Sequence, residues 1–438
     1  MRGPAVIEFV YKAGSRDLPG GNEMLNKPDF ATARDILLEY AQPVGTENIQ
    51  LCGSAGRLLA QEIRAAADVP GFDRSPYDGY AFRAQDVAGA SAFEPVTLSV
   101  VDHIAAGDVP HEFISLGTAA RIMTGAPVPE GADAIVPYES TKFTDTEVQI
   151  FAAAGEGQNI VRRGEDVKEG QLLAQPGIRI DDGLAGTMAA QGIFEPVVYR
   201  KPVIGIISTG DELIDEGESL SPGKIFNTNR YSLQAACADL GCGSVSLGLV
   251  KDSAEEIAKL IAEGAGEQHR CDAIVLSGGV SAGDFDLTPD AMKMAGAQIL
   301  IRGLNFKPGM AGAYGIMEKP GAGSPAKLPV MALSGNPAAC MTAFRLVCAP
   351  VLKKLAGWSD PYPEEVDCEL LADFPKASRG MRILRGRKVY RDGKVYFDFS
   401  PRQGNAVLST VSGNDMLAVI PAGSGPLRSG TVLKGYIV

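Results

Sequence analysis

The sequence predicts a multidomain α/β protein with a central doubly wound parallel α/β domain. An inserted mostly-β domain, a C-terminal β barrel and a split N-terminal helical region complete the expected architecture. Three observations carry that expectation. Between residues 202 and 356, VIGIIS, SVSLGLV, AIVLSGG and VMALSG are continuous apolar runs of strand length, as strands buried on both faces require. Segments with helical periodicity, TNRYSLQAACADL and SAEEIAKLIAE, fall between them, which makes alternating β and α units. On either side of that region the pattern changes to short alternating runs cut by Gly and Pro turns. The chain has 438 residues, length enough for about two to four domains with their own cores.

Taken in order, residues 1–28 carry Gly14, Pro19, Gly20, Gly21 and Pro28 among scattered charges and are expected to form a flexible tail. From Asp29, the stretch DFATARDILLEYA puts Ala33, Ile36, Leu37 and Tyr40 at helical spacing behind an Asp29 cap. This helical region is expected to span 29–66 and to resume at 163–201, where DDGLAGTMAAQ reads as a further helix. The two pieces would pack together around the insert at 67–162, whose strands include VTLSVVDHI and EVQIFAA. The α/β domain covers 202–356. Beyond it, at 357–438, KVYFDF, MLAVIPA and TVLKGYIV supply the strands of a barrel or sandwich. No internal repeat is visible.

Composition removes several function classes. Lys plus Arg is 41 against 53 Asp plus Glu, a net charge of -12, so neither nucleic acid nor an anionic membrane is an expected partner. An anionic ligand would have to be met by local groups. No apolar run approaches the roughly 18 residues of a membrane span, and MRGPAVIEFV reaches Glu8 before a signal core could form, so a cytoplasmic protein is expected. The seven Cys contain no C-x-x-C and only three His are present, a pattern of reduced thiols and not of a structural zinc site.

Chemistry is expected at the carboxyl ends of the parallel strands, where strand order reverses. VIGIIS ends in Ser208-Thr209-Gly210-Asp211-Glu212, and AIVL ends in Ser277-Gly278-Gly279 followed by Val280-Ser281-Ala282-Gly283-Asp284-Phe285-Asp286. Small hydroxyl and Gly residues let backbone N–H groups approach a phosphate, and the trailing acids can hold a cation against it. VMAL ends in Ser334-Gly335-Asn336-Pro337, where Pro337 suits the first position of a helix and leaves its N-terminus open to an anion. Lys307-Pro308-Gly309 contributes a lysine. In the inserted domain, Asp73 to Ala81 and Arg121 to Gly131 form two stiff turns rich in charge and ring residues, and Gly164-Glu165-Asp166 forms a third. His103, His111 and His269 lack ligand spacing, and no Ser-His-Asp or Cys-His pairing supports covalent acyl chemistry.

Together these motifs resemble the molybdopterin molybdenumtransferase family, the molybdenum insertases that include the gephyrin E domain. The matching runs are DVPGFDRSPYDGYAFR, RIMTGAPVPEGADAIVPYE, RRGEDVKEGQLL, ISTGDEL, NTNR, SGGVSAGDFD and SGNPAA, from about residue 30 to the C-terminus. The resemblance implies a molybdopterin-binding α/β domain. The implied activity converts adenylylated molybdopterin and molybdate into the molybdenum cofactor, with a divalent cation, Mg2+, and release of AMP. It also implies a homodimer whose cleft joins the α/β domain of one subunit to the β domain of the other. By motif, it carries functional roles to Asp78, Thr124, Asp166, Glu212, Asp252, Asp286 and Lys307, with Asp252 and Asp286 as candidate metal ligands. Ser208, Thr209, Gly210, Ser277, Gly278, Gly279, Gly335, Asn336 and Pro337 would cradle phosphate and pterin.

The chain departs from the family pattern at three places. Where K-P-G-K-P is usual it has Lys307-Pro308-Gly309-Met310-Ala311, and where L-P-G-N-P-V-S is usual it has Leu333-Ser334-Gly335-Asn336-Pro337-Ala338-Ala339. Gln403-Gly404-Asn405 stands for Q-G-S. A methionine thioether supplies no charge-assisted donor. These changes leave open tungstate as the oxyanion, a paralogue that binds pterin without insertion, and a dimeric scaffold.

Overall fold

The computed structural model describes residues 24–280, 287–320 and 327–438. The apolar runs form the middle of a seven-stranded sheet, in which Val203–Thr209, Ala273–Ser277 and Lys327–Leu333 run parallel. Gly243–Val250 pairs parallel to the other side of Val203–Thr209. Alternate residues feed two cores. Ile204, Ile206, Ala273 and Val275 pack with Leu233 and Cys237 of the helix Thr228–Asp239. Ile207, Ile274 and Leu276 pack on the opposite face with Ile257 and Ile261 of the helix Ala254–Ala265. The chain passes from Val203–Thr209 outward to Gly243–Val250 and then returns to its other side at Ala273–Ser277, so a crevice opens between the carboxyl ends of Val203–Thr209 and Ala273–Ser277.

The expected all-parallel sheet is corrected to a mixed one. Gln298–Arg302 and Gly312–Glu318 pair antiparallel, and Gly312–Glu318 pairs antiparallel to Lys327–Leu333. The connections 303–311 and 319–326 are too short for the crossover of a dozen or more residues that parallel neighbours need. Leu25–Asn26, expected within the tail, adds a parallel edge strand to Ile301–Arg302. An open sheet edge offers unpaired backbone groups, and Lys27 N–H also donates to the Arg302 carbonyl at 2.9 Å.

The split region is less helical than expected. Among its described residues the α-helices are Phe30–Glu39, capped by Asp29 at 2.8 Å, and Asp182–Ala190, capped by Asp181. Around them, Thr46–Asn48 pairs with Val197–Tyr199 and Ile63–Arg64 pairs with Leu172–Ala174. These pairings join the two pieces around a small core of Leu59, Ile63, Ile180, Met188 and Val198. The insert forms a six-stranded sheet with Tyr80 and Phe82 buried on one face and Ala81 and Ile122 on the other.

At the C-terminus the strand runs close into a five-stranded barrel, which decides between barrel and sandwich, with Leu384, Phe397 and Met416 in its interior. Lys307 N–H donates to the Met381 carbonyl at 3.0 Å, and Ile383 N–H donates to the Lys307 carbonyl at 2.8 Å. The barrel is thereby stitched to the loop that carries Lys307. Among the described residues no helix is long and apolar enough to cross a membrane, and all seven cysteines are free thiols.

Candidate functional site

The crevice at the strand-order reversal is a cleft of about 1040 Å³. Thr209, Gly210 and Glu212 line it from one strand end, and Ser277, Gly278 and Gly279 from the next. Asp252 follows the strand Gly243–Val250, while Gly335, Asn336 and Pro337 follow Lys327–Leu333. Lys307 faces them from the loop tied to the barrel. Ser208 is not on the cleft wall: it is 1% exposed, and its Oγ has no partner among the described residues. Asp286 lies outside the described residues.

Backbone packing explains the glycines. Gly278 has φ +111°, and a Cβ there would stand 2.2 Å from the Thr209 carbonyl oxygen, so only glycine lets these two strand ends close. Gly335 is different. Among the described residues a Cβ on it would meet only the Gly278 Cα, at 3.6 Å, an ordinary contact, so none of them demands glycine there. Its bare backbone leaves room in the cleft for a ligand.

The polar groups divide into those already occupied and those still available. Asp252 is half-buried, and its Oδ1 accepts from Thr209 Oγ1 at 2.8 Å, which fixes the carboxylate and leaves Oδ2 without a partner among the described residues. Glu212 and Lys307 are exposed on the cleft rim. The expectation of an open helix N-terminus after Pro337 is corrected. The Ala338 and Ala339 N–H groups both donate to the Asn405 carbonyl, at 3.1 and 3.3 Å, because a barrel loop reaches across and caps the helix Pro337–Ala343.

The remaining predicted residues sit elsewhere. The Thr124 N–H and Oγ1 both donate to Asp78 Oδ1 at 2.7 Å, on the exposed surface of the inserted domain. The Thr124 backbone and hydroxyl donors, with the nearby Arg121 charge, hold the Asp78 carboxyl below its ordinary range. Asp166 lies where the chain re-enters the split region, its N–H donating to the Val69 carbonyl at 3.0 Å. Asp78, Thr124 and Asp166 do not line the cleft.

With this geometry in view, the similarities to known proteins are informative. Residues 29–192 match the MoeA N-terminal region (domain I and II), and residues 205–354 match the probable molybdopterin binding domain. The chain is 34% identical over 390 residues to a molybdopterin molybdenumtransferase of Staphylococcus epidermidis, covering 88% of this chain and 90% of that protein. This chain belongs to the molybdopterin molybdenumtransferase family. A second member, from Bacillus subtilis, is 33% identical over 397 residues, 90% of each chain. A molybdopterin biosynthesis MoeA protein of Pyrococcus horikoshii superposes with TM-score 0.79 at 27% identity, covering 94% of this chain and 99% of that one. The MoeA-like fold follows from that superposition.

Four of the residues at which the chain departs from the family pattern fall in this cleft. Met310, Ser334, Ala339 and Asn405 all line the cleft. The loop that presents Asn405 is held by Arg385, which is only 2% exposed. Arg385 Nη2 donates to the Gly404 carbonyl at 3.1 Å and Nε to Thr410 Oγ1 at 2.9 Å, while Nη1 is buried without a partner among the described residues. Burial pulls this guanidinium down to about 10. Sequence reasoning passed over Arg385, since an isolated arginine in a β run carries no visible signal. It also assigned no role to Asn227 and Asn229, although the word NTNR contains them and both line the cleft.

Proposed function

We propose that this chain performs the molybdenum insertion step of molybdenum cofactor biosynthesis, taking adenylylated molybdopterin and an oxyanion and releasing AMP. The observation that carries this reading is the convergence of Gly278, Gly279, Gly335, Asp252 and Lys307 on one cleft at the strand-order reversal. Backbone at the glycine ends approaches phosphate closely, and Lys307 offsets its negative charge. Molybdate is itself an oxyanion and needs hydrogen-bond donors rather than a metal-type ligand set. Met310 and Asn405 in the cleft wall keep tungstate as an alternative oxyanion.

Magnesium fits the residues present. This ion takes one or two carboxylates together with substrate phosphates and waters. Asp252 presents an unpartnered Oδ2 in the cleft, with Asp286 as the second candidate ligand. Among the described residues no cluster of three His, Cys, Asp or Glu forms a cage, which is consistent with an ion shared with the substrate. When bound, it would neutralise charge developing on the phosphoanhydride. Thr209 fixes Asp252 in orientation, and Glu212 adds negative charge at the rim that keeps the site selective for a cation-bridged phosphate.

The chain is further proposed to act as a cytoplasmic homodimer in which Asp78 and Thr124 of one subunit complete the cleft of the other. The test of the reaction is incubation of purified protein with adenylylated molybdopterin, magnesium and either molybdate or tungstate. Oxyanion-dependent AMP release with cofactor formation is expected. Binding of the pterin with no AMP release under either oxyanion would contradict the enzymatic reading.

A further inference from the structure

We infer that Phe226, Asn227 and Asn229 form a subsite that reads a flat nitrogen heterocycle of the substrate, a reading that rests on the proposed function. Phe226 is 49% exposed and lines the cleft. Asn227 and Asn229 follow it in the same wall and are only 2% and 7% exposed. Each keeps one buried amide atom without a partner among the described residues: Asn227 Nδ2, a donor, and Asn229 Oδ1, an acceptor.

The orientation of both amides is fixed by their other halves. Asn227 caps the helix Thr228–Asp239 by accepting from the Arg230 N–H through its Oδ1, so its free atom is the nitrogen. Asn229 Nδ2 donates to Ser277 Oγ at 2.6 Å and to the Gly335 carbonyl at 2.8 Å, so its free atom is the oxygen. Buried polar atoms left unpaired are costly, and a matched donor and acceptor beside a phosphate cleft point to a ligand that supplies both. Pterin and adenine share that chemistry: each has donors and acceptors in the ring plane and an apolar face for stacking. Phe226 would take the face, and the two asparagines the edge.

Three variants of the full chain separate ring, edge and phosphate contributions. Phe226→Leu keeps an apolar side chain without a ring, Phe226→Tyr restores the ring, and Asn227→Ser keeps a capping oxygen and neutral charge but has no amide nitrogen. Calorimetric titration should show adenylylated molybdopterin bound about tenfold more weakly by Phe226→Leu and by Asn227→Ser, with Phe226→Tyr within about twofold of the native chain. Inorganic pyrophosphate, which has no ring, should bind all of them within about twofold of native. Titrations with AMP and with a free pterin then identify the source, since the ring that occupies the subsite shows the same loss. The inference is overturned if Phe226→Leu binds substrate like the native chain, if pyrophosphate weakens as much as substrate, or if neither AMP nor pterin shares the loss. A native chain that binds pyrophosphate but not adenylylated molybdopterin would instead remove the functional reading, and the subsite with it.

Discussion

Two aspartate and threonine pairs in this molecule have nearly the same internal geometry and very different surroundings. Asp252 accepts from Thr209 at 2.8 Å, and Asp78 accepts from Thr124 at 2.7 Å. The first arises from parallel register, in which Thr209 pairs with Val250 two residues before Asp252. The second arises from antiparallel register, in which Gly79 pairs with Ile122 and brings the flanking Asp78 and Thr124 together. The first opens into a cleft built by four strand ends and a lysine. The second sits on an exposed turn, away from that cleft. Sheet pairing creates such constellations, and concavity decides which can act alone. The proposed homodimer would give Asp78 and Thr124 a chemical role by covering them with a second subunit's cleft.

The largest separation between the pairs should come from charge neutralisation. Asp252→Asn keeps an oxygen for the Thr209 hydrogen bond but removes the charge, so AMP release should fall about a hundredfold or more while the melting temperature is nearly unchanged. Single-turnover assays beside thermal melts will decide, and an unaltered rate would reduce the two pairs to structural equivalents. A much smaller effect is expected from acid. Because the Thr124 donors hold the Asp78 carboxyl below its ordinary value, its ionised form stabilises the fold above the unfolded-state value of 3.8. That contribution is lost as pH falls through the lowered folded value. The melting-temperature gap between the native chain and Asp78→Asn should therefore be fully present at about pH 6 and shrink towards zero at about pH 2. The gap will be modest because Asp78 is exposed and screened. A gap that widens on acidification would show that the Thr124 donors do not favour the ionised form.

What was legible in the sequence follows the range of the forces involved. Ser277-Gly278-Gly279 and Ser208-Thr209-Gly210 could be read as strand ends because an apolar run followed by small residues is a local pattern. The antiparallel strands Gln298–Arg302 and Gly312–Glu318 were missed because direction depends on connection length, and no apolar periodicity encodes it. The capping of Ala338 and Ala339 by the Asn405 carbonyl joins residues far apart in the chain through backbone atoms alone, which no side-chain motif can announce. The Asp78 and Thr124 turns looked like rigid loops one at a time, and only the family words suggested that they work together. Asn227 was visible as part of NTNR, yet the orphaned Nδ2 that makes it interesting exists only once the helix cap has formed.

Subunit mixing tests the central claim most directly, namely that a cleft in one chain is completed by the Asp78 and Thr124 turns of another. Asp78→Asn and Asp252→Asn chains, each inactive as homodimers, are combined and heterodimers are confirmed by mass before AMP release is measured. An isologous heterodimer contains one cleft with both residues native and one with neither, so about half of the native activity per heterodimer is expected. Heterodimers that form and recover no AMP release would contradict the shared cleft.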